Sequence, residues 1–193
     1  MELVRITRFR FWGNNGTCNI SNCYSSGTIS GNNAGGICGS NAGKNGGDCK
    51  ISNCYSLGNI SSSASGGICG KNAGRYGTCT ISNCYSIGNS DSNNAGGICG
   101  SYAGKGSSSS YGSSNCIISN CYSLGNISKN KSGGICGSNS GSSDGSDGIC
   151  TITNCYSQIK KGNTTPDGSN PLDGTNIGTI SFSNLDINLP NKL

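Results

Sequence analysis

A β-solenoid, all-β and built from about five stacked coils, is the fold class this sequence predicts, and three observations predict it. The motif CxISNCYS recurs five times, the last time as CTITNCYS, and GGICG follows the first four copies. Two cysteine intervals never change: five residues within each CxISNCYS unit, then fifteen to the GGICG cysteine. All length variation sits between a GGICG cysteine and the next opening cysteine, where the intervals are 11, 10, 17 and 14 residues. Self-similarity at a period of about thirty residues marks units that cannot bury their apolar faces alone and must stack. Composition agrees, because 34 glycines and 32% hydrophobic residues in 193 positions suit a narrow core better than a layered one.

Each coil is predicted in the order of its residues. In the second repeat, Cys49 and Ile51 alternate with Lys50 and Ser52, the period of a strand with one buried face. Asn53 interrupts the alternation, and asparagine tolerates the left-handed backbone of a sharp corner. Cys54 and Ser56 then share one side and Tyr55 takes the other. Gly58 and Asn59 mark a second bend, Ile60 points back inward, and a Ser-rich connection leads to Gly66, Gly67, Ile68 and Cys69. The glycine pair serves either close backbone approach or positive φ.

Stacking at about 4.8 Å places like residues over like. Asn22, Asn53, Asn83, Asn120 and Asn154 should form an amide ladder. Ile20, Ile51, Ile81, Ile118 and Ile152 should form an apolar one, joined by Ile37, Ile68, Ile98 and Ile135. Tyr24, Tyr55, Tyr85, Tyr122 and Tyr156 should form a third, facing outward. Strand crossover chirality favours a right-handed path. Residues 1–16 hold the richest apolar stretch and are expected to cap the first coil, 17–157 to be the repeats, and 158–193 to be a loop followed by a closing or assembly segment over 177–193.

The opening and GGICG cysteines flank the elastic loop, so disulfides Cys38–Cys49, Cys69–Cys79, Cys99–Cys116 and Cys136–Cys150 would pin it at its base. Closing loops of this size contributes about 3 kcal/mol each in the chain-entropy model. Cys18 is left without a partner and is a candidate for assembly. Cys23, Cys54, Cys84, Cys121 and Cys155 are expected inside as small apolar thiols, the alternative being that neighbours among them pair between coils. Cysteine density favours an oxidising compartment. No metal centre is expected: CxxxxC is not zinc-knuckle spacing, histidine is absent, and Asp144 and Asp147 lack recurrent acidic companions.

Composition also bounds function. The net charge of +5 is dispersed apart from Arg5, Arg8 and Arg10, against the focused basic face of nucleic-acid binders. No run approaches the ~20 apolar residues of a membrane span, and the opening residues lack a secretory signal pattern. The eight acids, Glu2, Asp48, Asp91, Asp144, Asp147, Asp167, Asp173 and Asp186, do not recur in phase with the repeat. With no histidine to act as a base and no activating partner for a cysteine, neither catalysis nor a cofactor is expected.

The unit GGICGxNAG followed by TISNCYSxGNIS resembles the GLUG-type repeat, GGLVG, a turn, then IxNCYATGxVSG, over about residues 17–157. That resemblance implies β-helical coils of the kind found in large bacterial surface proteins and adhesins. The chain departs from it in placing Cys38, Cys69, Cys99 and Cys136 at the valine of GGLVG and adding a cysteine that opens each unit, two changes that together create the proposed clamp. The expected role is a structural rod at a cell or virion surface, outside the cytoplasm, that associates with itself or with other surface proteins. The alternative is a glycan-binding adhesin using the Tyr ladder.

Overall fold

Alternating coil strands fall into two parallel sheets in a computed structural model, which describes residues 16–106, 112–142 and 148–157 and the backbone of 4–5 and 179–183. In chain order the first strands are β1 (Val4–Arg5), β2 (Thr17–Ser21), β3 (Cys23–Ser25), β4 (Asp48–Ser52), β5 (Tyr55–Ser56) and β6 (Thr78–Ser82). They are followed by β7 (Tyr85–Ser86), β8 (Ser114–Ser119), β9 (Tyr122–Ser123), β10 (Gly148–Thr153), β11 (Tyr156–Ser157) and β12 (Thr179–Ser183). One sheet runs β1-β3-β5-β7-β9-β11 and the other β12-β10-β8-β6-β4-β2. The fold is therefore the all-β solenoid, with four full turns between the first and fifth repeats. Of the terminal segments, only Gly16 and the backbones of β1 and β12 are described; the rest of the expected cap over 1–16 and of the segment 158–193 lies outside the described residues, as do Asp144 and Asp147.

Register follows the repeat without slippage. Cys18, Cys49, Cys79, Cys116 and Cys150 lie directly over one another, as do the five isoleucines two residues on. A slip of one residue would turn each buried Cys and Ile outward, and this is why the pairing is so strongly specified. The five corner asparagines adopt φ between 50° and 56°, and the backbone ladder continues through them, for example from Asn53 N–H to Ser82 O at 3.2 Å. Their side chains meet at the last pair, where Asn154 Nδ2 donates to Asn120 Oδ1 at 3.4 Å.

Two further left-handed corners recur in every turn, at Asn33, Ala64, Asn94 and Lys131 and at Asn41, Asn72, Tyr102 and Asn139. The glycine pair has a different purpose, close approach. A Cβ on Gly67 would overlap the carbonyl of Gly97 and the Ser86 hydroxyl of the next turn, and the pattern repeats at Gly36 and Gly97.

The main core holds the two isoleucine columns, nearly all the cysteines, and Ala42, Ala73 and Ala103 from the corners. A second small cluster contains Ile29, Ile60 and Ala95. Its column continues Ile29, Ile60, Ser90, Ile127, so a serine interrupts a row of isoleucines. Ser90 is 1% exposed and its hydroxyl has no partner. Ser90→Ile should therefore raise stability by about 2 kcal/mol, through added apolar burial and removal of an unpaired hydroxyl. Denaturant midpoints of the two chains measure it, and an unchanged or lower midpoint would show that the third turn has no room for the side chain.

Candidate functional site

Three sets of chemistry-bearing side chains run along the rod. The Tyr column forms as expected, because strand register sets each ring above the last. Tyr24 and Tyr55 stack with centroids 5.4 Å apart, Tyr55 and Tyr85 at 4.8 Å, and Tyr85 and Tyr122 at 4.9 Å, the last two pairs within 4° of parallel. Tyr156 continues the register on Tyr122. All five residues are half-buried. Stacking at strand spacing covers the ring faces with other rings, so what the column offers solvent is edges and hydroxyls. Aromatic recognition of a sugar uses open faces, and inside this column those are occupied.

Burial, with the neighbouring Tyr122 and Tyr55 hydroxyls adding to it, pushes the Tyr85 phenol up to about 12, and burial raises Tyr122 as well. An acid whose folded pKa exceeds its unfolded value, near 10, contributes stability that is complete below pH 10 and is lost as pH climbs toward 12. We expect the tyrosinate absorbance of the folded protein to rise late, with Tyr85→Phe removing the latest part of the titration. A titration with all rings at the ordinary value would show the stack to be open.

The cysteines form two systems. The first interleaves the opening column with Cys38, Cys69, Cys99 and Cys136, whose backbones pair from turn to turn. No disulfide joins the described cysteines, and those of this system are buried. The four expected clamp pairs are neighbours: Cys136 Sγ lies 3.8 Å from Cys150 Sγ, and Cys38 with Cys49, Cys69 with Cys79 and Cys99 with Cys116 are close enough to perturb one another's titration. Each also lies in register over its equivalent in the adjacent turn, so the thiols make a ladder with both rungs and rails. Within this coupled pair, interaction with Cys49 and Cys69 lowers the Cys38 thiol, while the contacts with Cys38 and Cys79 raise Cys49. Cys18, at the end of its column, is pushed up by burial.

In the second system, Cys23, Cys54, Cys84, Cys121 and Cys155 each donate S–H to the carbonyl two residues back, at 3.1 to 3.2 Å. The thiol thus bridges the asparagine corner from inside. This clasp was not anticipated from spacing, although its signal is the unvarying Asn–Cys pair. Burial raises Cys121. Among the described residues no group of three or more Cys, Asp or Glu side chains is arranged to hold a metal ion, and no helix is long and apolar enough to cross a membrane.

A fourth feature escaped the sequence reading. Lys71 and Tyr102 occupy positions held by serine and asparagine in the other turns, and the fold brings them together with the Lys71 ammonium 4.8 Å from the Tyr102 ring centre. Departures from an otherwise strict repeat were the available signal. Comparison of the chain with family models, curated proteins and solved structures finds no match.

Proposed function

We propose that the chain is a non-enzymatic structural repeat protein, a rod that joins further copies of itself, or other surface proteins, in a fibre or at a cell or virion surface. The supporting observation is the offset of its two sheets. Among the described strands one sheet begins a half-turn early, with β1 below β3, and the other ends a half-turn late, with β12 beyond β10. Each sheet has six strands. A second copy displaced along the axis would place its β1 on β11 and its β2 on β12, continuing both sheets in parallel. Edge strands recruit such partners through unpaired backbone groups, and a head-to-tail contact of this kind propagates without closing. The resemblance to GLUG-type repeats, with their association with surface proteins, favours the same reading.

Electron microscopy of the purified chain tests it. Filaments are expected with an axial repeat of about 29 Å, six strand spacings of about 4.8 Å. Ile180→Pro, which removes a donor in β12, should abolish them while the coils remain folded. A monodisperse monomer across concentrations would rule out joining to further copies and leave other surface proteins as the partners.

In an oxidising compartment the rungs of the thiol ladder become the disulfides. Peptide mapping without reduction should recover Cys136–Cys150 and its three equivalents, leaving Cys18 open to a bond with another copy. Recovery of rail pairs such as Cys49–Cys79 would overturn the clamp scheme. The glycan-binding alternative would require the Tyr column, whose ring faces are taken up by one another.

A further inference from the structure

The cleft beside Lys71 and Tyr102 is unlike the rest of the rod. It is about 280 Å³ in volume, spans three successive turns, and is lined among others by Asn32, Asn33, Asn94, Ser101, Lys71 and Tyr102. Three departures from the repeat meet here. Lys71 stands where the other turns have Ser40, Ser101 and Ser138, Tyr102 where they have Asn41, Asn72 and Asn139, and Ala64 where two neighbours have Asn33 and Asn94. Both Tyr102, at φ 63°, and Ala64, at φ 57°, hold a left-handed backbone that suits neither side chain. Tyr102 is the one member of its corner column, Asn41, Asn72, Tyr102 and Asn139, that is not asparagine, and strain kept at a cleft points to use of that cleft.

The lining is rich in donors. Asn32 Oδ1 accepts from the Ser62 hydroxyl at 2.7 Å and Asn94 Oδ1 accepts from the Ser138 hydroxyl at 2.9 Å, which leaves each amide to present its NH₂. Ser101 is 1% exposed and its hydroxyl has no partner. The Lys71 and Lys105 ammonium groups lie 4.8 and 4.9 Å from the centre of the same Tyr102 ring. Among the described residues that line the cleft Lys71 is the one charged side chain, so the lining carries a positive charge. Such a site is complementary to an oxyanion. Its volume is many times that of a single water, about 30 Å³, so the oxyanion must belong to a larger body, and the amide and hydroxyl walls call for a hydroxylated one.

We infer that this cleft binds an acidic saccharide unit, a sugar bearing a carboxylate or sulfate, with Lys71 on the anionic group and the asparagine amides and Ser101 on ring hydroxyls. The site is separate from the Tyr column and does not depend on assembly of the rod. Isothermal titration of the intact chain with glucuronic acid, glucose 6-sulfate, glucose and inorganic sulfate tests it. The two acidic sugars should bind saturably, with glucose and inorganic sulfate at least tenfold weaker. Lys71→Ser and Tyr102→Asn, which install the residues of the other turns, should each weaken the acidic sugars at least tenfold. Their thermal midpoints should be equal to or above that of the parent, since Tyr102→Asn relieves the left-handed strain. Absence of saturable binding, equal binding by Lys71→Ser, or inorganic sulfate matching glucose 6-sulfate would each overturn the proposal.

Discussion

Replacing Gly97 with alanine is expected to destabilise the rod by about 4 kcal/mol, among the largest effects of any single methyl group in this chain. The added Cβ would overlap the Ser123 hydroxyl and the carbonyl of Gly134, both in the following turn. A side-chain tip can rotate away, but a backbone carbonyl cannot. Gly97 N–H also bonds to Gly133 O at 3.2 Å, so opening the gap would stretch the ladder that holds the turns together. In a stack where each unit touches only its neighbours, such a lesion uncouples the two halves, and the denaturation profile should broaden or split. Gly27→Ala is the matched control, because nothing lies within 4 Å of its added Cβ. That variant should stay within about 0.5 kcal/mol of the parent. Equal midpoints for the two variants would mean that the turns are not packed backbone to backbone at the glycine pair.

Ile81→Ala should cost about 3 to 4 kcal/mol, within the range for truncating a buried branched side chain. Ile81 is fully buried and sits in register between Ile51 and Ile118. Ladder hydrogen bonds fix the strands above and below at a set spacing, so the void cannot collapse and the lost contacts are not regained. Ile20→Ala is the informative comparison. Ile20 is 7% exposed and, among the described strands, has an isoleucine on one side only, Ile51 of β4. Its loss should cost roughly half as much. Equal costs at the two positions would contradict a column in which interior members make twice the contacts.

Much of this architecture was legible because the chain states it five times. Invariant intervals from Cys18 to Cys23 and from Cys23 to Cys38 leave one register for stacking, and asparagine at every first corner named the residue able to turn there. Alternation at Cys49, Lys50, Ile51 and Ser52 identified the buried face, and the structure buries Cys49 and Ile51. The later corners were harder to see, since Ala64, Lys131 and Tyr102 carry left-handed backbones that their side chains do not advertise. The interior serines were also hidden. Ser56, Ser86 and Ser123 are fully buried beside the glycine pairs, with hydroxyls that have no partner, where a period-two pattern distinguishes only side from side.

What the sequence by itself determined is the stacking, since a strict repeat of buried Cys and Ile two residues apart can be satisfied only by laying each copy on the one before. Only the tertiary structure decided what the stacked columns present to each other and to solvent. Ring faces are covered or open, thiols are neighbours along rungs as well as rails, and Lys71 of one turn meets Tyr102 of the next, according to the distance between turns. That distance is set by backbone hydrogen bonding across the whole rod, a property no single repeat contains.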